Sequence, residues 1–289
     1  MRAELPSFRE RFAASILHMY PLYSGCGTLA SSLLARTLVP RSARRVWAEL
    51  DGMRCLVPLD DLVGRAIFLV GDLDAKVTWA LRQCAEPGDT VLDVGANMGL
   101  MAFKAAHAVG PRGRVICFEP NPRMIELLAE SIDANPSAPI ELHPVALGRE
   151  AGTLQLYIPA GNAGGASLLE SNALRAAETA EVPVRPLASV IHELQVSRIA
   201  VMKIDVEGAE ADVLHGLFDD PSAPRPEAII FEEHDVRGSP VRAMLEAEGY
   251  VIAGLSRDSY LSMRVRLAEE SGFAECHDFV ALSPAAPAS

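Results

Sequence analysis

The sequence predicts an α/β fold: one mainly parallel sheet of seven strands with helices on both faces, preceded by an N-terminal elaboration. Three observations lead there. Short apolar runs alternate with helical patterns through residues 90–145 in a βαβαβ rhythm, which implies parallel strands joined by right-handed crossovers. The first run passes into Thr-Val-Leu-Asp-Val-Gly-Ala-Asn-Met-Gly at residues 90–99, a glycine-bracketed turn that opens directly onto a helix. The next run, Val-Ile-Cys-Phe-Glu, ends on a carboxylate, Glu119, twenty residues beyond Gly99.

Taken in order, Phe8, Phe12, Ile16 and Met19 recur at helical spacing, and Leu29, Leu33, Leu34 and Leu38 repeat the pattern up to Pro40. Two short helices packed against something larger are expected. Between Val46 and Val57 the pattern becomes strand-like around Asp51-Gly52, a pair suited to a two-residue hairpin turn. Residues 1–70 thus read as a helical and β-hairpin cap, and 71–289 as the main domain.

In that domain Val77, Leu81 and Cys84 mark a helix that ends before Pro87-Gly88. Strand 90–94, helix 99–110, strand 114–118, helix 121–134 and strand 140–145 follow. Residues 151–187 are less regular: Leu154, Leu156 and Ile158 alternate as a strand does, and glycine-rich 159–165 leads to Ser167 either as a closing loop or as a surface connection. The sheet resumes at 199–204, a helix runs from near Gly208 to Leu217, 228–231 is a strand, and 239–248 a helix. Residues 250–253 and 279–282 are expected to form a terminal antiparallel pair.

The 289 residues, 49% of them hydrophobic, suit one large core. A net charge of −12 argues against a general phosphate-backbone binder, so no nucleic-acid partner is expected. Five dispersed cysteines without a C-x-x-C pair read as reduced core thiols. No apolar run approaches membrane-spanning length and no signal-like segment opens the chain, so a cytoplasmic protein without a membrane partner is expected.

The turn at 95–99 departs from the dinucleotide fingerprint. Gly95, Asn97 and Gly99 are followed by Leu100 where a final glycine is required, which disfavours a nicotinamide cofactor. Amides at the helix start can hold polar or anionic ligand atoms, and Glu119 suits the two hydroxyls of a ribose. Asp93 either orients that ligand or caps the turn, and Asn121 before Pro122 fits an N-cap as well as a ligand contact.

A second cluster, Lys-Ile-Asp-Val-Glu-Gly-Ala-Glu at 203–210, places Asp205 at the end of the fourth strand, on the same sheet edge as Asp93. Glu207 and Glu210 follow where a helix field favours negative charge with or without catalysis. Lys203 reads either as a core anchor or as a site residue. His234, in Phe-Glu-Glu-His-Asp at 231–235, is the histidine best placed to act as a general base. Asp205, Glu207, Glu233 and His234 would make an oxygen-rich metal site if the strand ends converge, but no ligand spacing demands one and a divalent metal is not favoured.

In their order these stretches resemble the FkbM family of S-adenosylmethionine-dependent methyltransferases. The matching segments are 91–99, 115–122, Val-Ala-Leu-Gly at 145–148, Gly-Ala-Ser-Leu-Leu at 165–169, 203–210 and 232–234, and the resemblance covers roughly residues 70–285. It implies a Rossmann-like class I methyltransferase with strand order 3-2-1-4-5-7-6, S-adenosyl-L-methionine as cofactor and S-adenosyl-L-homocysteine as product. By that resemblance Asp93, Gly95, Asn97 and Gly99 would surround the methionine portion, with Asp205 on the same cofactor. Glu119 would hold the ribose, and Asn121 with Ala146 the nucleoside end. Gly71 and Asp74 look similar to the family's glycine-and-acidic segment, with aspartate in place of the commoner glutamate.

The implied reaction is O-methylation of a small-molecule hydroxyl, on a secondary metabolite or sugar. His234 or Asp205 would accept the proton, and Glu207 would orient the acceptor. An N-methyltransferase, whose amine acceptor already carries a lone pair, and an inactive S-adenosyl-ligand-binding assembly protein are the alternatives; a homo-oligomer is compatible with each.

Overall fold

In a computed structural model, which describes residues 3–20, 25–159, 167–168, 176–233, 239–259 and 262–284, the β-rich runs pair into one eight-stranded sheet. Across it lie Ile140–His143, Arg114–Phe118, Thr90–Val94, Val201–Ile204, Ala228–Glu232, Asp278–Leu282, Val251–Ser259 and Ser262–Leu267. The first five are mutually parallel, and the last three join antiparallel.

Numbered in chain order the sheet reads 3-2-1-4-5-8-6-7, which corrects the expected seven strands in the order 3-2-1-4-5-7-6. The difference is Ser262–Leu267, folded back on Val251–Ser259 as an edge hairpin. This strand has no fully buried residue, so burial stamps no apolar face on it. Arg264 and Arg266 lie on this edge, where charge discourages further pairing.

The period of two along each strand divides the interior into two cores. Val91, Val115, Cys117 and Val201 meet the helices Ala75–Cys84, Leu100–Val109 and Pro122–Asp133 on one face. Leu92, Ile116, Met202 and Phe231 meet Leu187–Glu193, Glu210–Phe218 and Pro240–Ala247 on the other. The five cysteines are all unpaired, and all but Cys84 are buried.

The N-terminal residues pack against the first core. Helices Phe8–Leu17, Cys26–Ser31 and Leu33–Leu38 precede the hairpin of Arg45–Leu50 with Met53–Pro58. Asp51 and Gly52 both take positive φ, 48° and 82°, as a two-residue hairpin turn requires. The helix Leu62–Val70 was not anticipated, because seven of its nine residues are buried and so short an apolar run is not assigned as helix or strand by its pattern alone. At its centre the fully buried Arg65 guanidinium donates to the carbonyls of Val39 at 2.9 Å and Ala30 at 3.2 Å, tying down the ends of two short helices. Burial lowers the Arg65 pKa, and Arg41 and Arg36 add to that.

One expectation is reversed. The stripe of Phe8, Phe12, Ile16 and Met19 is 52–79% exposed, and the same helix turns Glu10, Ala13 and Ala14 inward. Glu10 is held inside by its capping box with Ser7 and its ion pair with Arg44, and the two alanines let the helix lie close on Leu62–Val70.

A second sheet joins Ala146–Leu147, Ala176–Arg185 and Gly152–Pro159. Ala176–Arg185 was not expected to be a strand, since its alanines, glutamates and Pro183 are poor strand formers and its order comes from the antiparallel partner. Of the anticipated 159–165 loop, residues 160–165 lie outside the described residues, while Ser167 pairs with Tyr157. No helix among the described residues is long and apolar enough to cross a membrane.

Candidate functional site

The site grows from the turn after Thr90–Val94. Gly95, Asn97 and Gly99 have φ of +79°, +53° and +98°. At Gly95 a Cβ would lie 1.9 Å from the Asp205 carbonyl oxygen, so glycine is what lets the turns after the first and fourth strands touch. Asn97 tolerates the left-handed region better than most residues, and its Oδ1 accepts from the Met98 amide at 2.7 Å. The Asn97 amide donates to Glu119 Oε2 at 2.7 Å, and the Asn121 amide to Glu119 Oε1 at 2.8 Å. Burial pushes the Glu119 carboxyl up to about 7, although those two amides pull it down.

Beneath the turn lies a charged triad. Asp93 and Lys203 are register partners on adjacent strands. Lys203 Nζ donates to the Gly95 carbonyl at 3.0 Å and stands 3.5 Å from Asp93 and 3.4 Å from Asp205. Burial alone would lower the ammonium pKa, but Asp205 and Asp93 together hold it above its ordinary value. Burial also raises the Asp93 carboxyl despite Lys203; it is 1% exposed and neither oxygen makes a hydrogen bond of normal geometry. The central place of Lys203 was readable from spacing: residues 203 and 205 are two apart on an extended segment and so share a face.

Three cavities open at this edge, and two of them meet at the turn. One, of about 240 Å³, runs between Gly95, Asn97, Asp205 and Glu207 on one side and Leu62, Val63 and Leu73 on the other. The second, of about 60 Å³, is walled by Glu119, Met124, Ala146, Leu156 and Leu168. Gly95, Asn97, Asp205 and Glu207 line both.

Glu207 adopts φ +55°, an unfavourable value for its type, and its carbonyl accepts from Ser167 Oγ at 2.8 Å. Glu210 serves structure: its Oε1 accepts the amides of Val206 and Gly208 at 3.2 and 3.1 Å, closing the turn. Glu233 pairs with Arg242 at 2.8 Å and borders the third cavity, of about 280 Å³, with Asp205, Glu207 and Glu232, and Glu232 lines the first as well. Asp74 lines it too, and burial followed by the charge of Asp278 pushes its carboxyl up to about 7. His234 lies outside the described residues. Among the described residues no group of three or more His, Cys, Asp or Glu side chains is disposed to hold a metal ion.

Comparison with known proteins gives the family. The model of the Methyltransferase FkbM domain matches residues 93–252, more than half of the chain. The chain belongs to the FkbM methyltransferase family. It is 32% identical over 199 residues to the 31-O-demethyl-FK506 methyltransferase FkbM of Streptomyces tacrolimicus, a match covering 57% of this chain and 74% of that protein. It is 26% identical over 188 residues to Methyltransferase 1 of Beauveria bassiana, covering 58% and 74%. Among solved structures, methyltransferase FkbM from Methylobacillus flagellatus KT shares 13% identity over 77% of this chain and 65% of that one, at a TM-score of 0.40.

As an FkbM methyltransferase the chain presents S-adenosylmethionine with a fitting set of groups. Glu119 is a buried carboxylate supported by main-chain amides, with lone pairs left for a diol, and it faces a cavity whose other walls include Met124, Ala146 and Leu156. Of the residues singled out in the sequence, Gly95, Asn97, Glu119, Ala146, Asp205 and Glu207 converge on the FkbM cavities. Asp93, Gly99 and Asn121 stand behind the cavity walls. Asp93 belongs to the Lys203 triad, and a Cβ on Gly99 would meet Leu128 Cδ1 at 2.6 Å where two helices pack. Asn121 caps Pro122–Asp133 by accepting from the Arg123 amide at 3.0 Å.

Proposed function

We propose that this FkbM-family enzyme transfers a methyl group from S-adenosylmethionine to a hydroxyl of a small molecule, a secondary metabolite or sugar. The observation that carries the reading is the meeting of two cavities at Gly95, Asn97, Asp205 and Glu207, one bordered by the buried carboxyl of Glu119 and the other by the apolar Leu62, Val63 and Leu73. When bound, S-adenosylmethionine supplies a methyl group activated by a positively charged sulfur. Glu119 accepts from the ribose hydroxyls, and the turn at Gly95 and Asn97 borders the amino-acid portion.

The acceptor lies against Leu62, Val63 and Leu73, which makes residues 1–70 a cap over the domain formed by 71–289. An alcohol must lose its proton as its oxygen is methylated, and Asp205 or Glu207 at the cavity junction takes it, with His234 as a further acceptor. Much of the remaining acceleration is alignment, since reacting atoms held about 3–3.5 Å apart avoid a large entropic cost. The 31-O-demethyl substrate named for the Streptomyces relative supports a hydroxyl acceptor.

The test is methyl transfer from labelled S-adenosylmethionine to a panel of hydroxylated metabolites and sugars beside matched amines. Transfer to hydroxyls, lost in Asp205→Asn or Glu207→Gln with cofactor binding retained, is the expected result. Transfer to the amines alone would replace this reading by N-methylation. One feature favours that second reading: Asp74, Glu207 and Glu232 line the cavity beside the Lys203–Asp205 and Lys76–Asp278 pairs, carboxyls able to attract an amine and take its proton.

A further inference from the structure

The outward stripe of helix Phe8–Leu17 has no counterpart in the catalytic machinery. Leu5, Phe8, Phe12, Ile16, Met19, Leu33 and Leu34 are each more than half exposed. The Phe8 and Phe12 rings stack at 6.3 Å, and Arg9 joins this helix to Leu33–Leu38 through the Thr37 carbonyl at 2.9 Å. Scattered apolar residues are normal on a surface, but a run of this length on adjoining helices marks an interaction face.

Charge points to its occupant. Residues 1–45 hold seven arginines against two glutamates, a net charge of +5 in a chain whose total is −12. Both glutamates, Glu4 and Glu10, are paired with Arg44, and Arg45 is paired with Glu126 and Glu130 of the main domain, which leaves Arg9, Arg11, Arg36 and Arg41 as the described arginines outside these pairs. At about 100° per residue, Arg9 and Arg11 fall on opposite margins of the stripe formed by Phe8, Phe12 and Ile16, and Arg36 and Arg41 are exposed nearby in sequence. Symmetric pairing with a second copy would set these cationic margins against each other.

We propose that the N-terminal helices dock the enzyme on an anionic membrane surface. Phe8, Phe12, Ile16 and Met19 enter the boundary between headgroups and acyl chains, and Arg9 and Arg11 lie at the level of the lipid phosphates. Docking of this kind needs no spanning helix. The acidic remainder of the chain is repelled by the same surface, so this one face is presented and the orientation is fixed.

The experiment is flotation of the full chain with vesicles of equal parts phosphatidylglycerol and phosphatidylcholine, beside vesicles of phosphatidylcholine alone. Binding to the anionic vesicles, weakened by salt, is expected to fall about tenfold or more in the double variant Phe8→Glu/Phe12→Glu. Arg11→Glu, which changes charge alone, should lose the preference for anionic over neutral vesicles. Titration with S-adenosylmethionine verifies that each variant is folded. Absence of binding to the anionic vesicles, or undiminished binding by the double variant, overturns the proposal. So does a wild-type dimer that the double variant dissolves without any vesicle binding, which would assign the face to a second copy.

Discussion

At Glu119 two forces oppose each other: burial favours the neutral acid, and two main-chain amides favour the carboxylate. Ribose hydroxyls donate to the charged form, so cofactor affinity should strengthen as pH rises through about 7 and then level off. Glu119→Gln should abolish that step and weaken binding about ten- to a hundredfold, given about 1.5–3 kcal/mol for a hydrogen bond to a charged group; calorimetric titration across pH checks both. Lys203→Met leaves Asp93 and Asp205 without their cation, a loss expected to cost about 3–5 kcal/mol. Asp93 is already raised by burial, and a raised carboxyl contributes stability at low pH that is lost as pH rises. The urea-unfolding deficit of Lys203→Met should therefore be larger near pH 8 than near pH 5, at about one unit above and two below the neutral point. Equal deficits at both would remove the triad from the account. Asp93 and Glu119 were legible because an acid closing an apolar run is conspicuous; Lys203 stayed open between core anchor and site residue, although its spacing of two from Asp205 sets both on one face.

Among the elements, strands enclosed on both sides announced themselves. Thr90–Val94, Arg114–Phe118, Val201–Ile204 and Ala228–Glu232 are unbroken or nearly unbroken buried runs, and of the helices between them Pro122–Asp133 carries a side-chain cap. Ala176–Arg185 and Ser262–Leu267 were missed because each is ordered by a partner strand rather than by its own pattern. Leu62–Val70 was missed for another reason, being a short and mostly buried run whose pattern alone does not tell helix from strand. Asn121 shows how an element can absorb a residue that also fits a ligand: its side chain caps a helix, and its amide, not its side chain, holds Glu119. Asn121→Ala should therefore lower stability by about 1 kcal/mol in thermal unfolding and leave S-adenosylmethionine affinity unchanged. A large loss of affinity at unchanged stability would return Asn121 to the ligand.

For the whole molecule the buried acids set an unusual pH response. Glu119 and Asp74 are both raised to about 7 by burial, Asp74 with help from Asp278. Their contribution is fully present below their unfolded pKa values near about 4 and is lost as pH rises through about 7. His143, lowered by burial, works the other way, contributing stability above its ordinary 6.5 that is lost on acidification. Asp72 and Asp93 are raised by burial as well, so with four acids against one half-buried imidazole the ligand-free protein should melt at a higher temperature on the acid side of neutrality than on the basic side, and S-adenosylmethionine should narrow the gap by engaging charged Glu119. Scanning fluorimetry with and without cofactor tests this, and a ligand-free melting temperature that climbs with pH would contradict it. The sheet's parallel half was legible because each strand carries its own apolar run, whereas the edge hairpin and the outward face of the N-terminal helix depend on contacts far apart in sequence. The close approach of Gly95 to the Asp205 carbonyl bears on how this enzyme can diverge. The turns after the first and fourth strands are interlocked backbone to backbone, so in the proposed reading a change in either disturbs cofactor and acceptor together. Leu62, Val63 and Leu73 on the facing wall carry no such constraint, and new acceptor preferences are free to arise there while the cofactor site stays as it is.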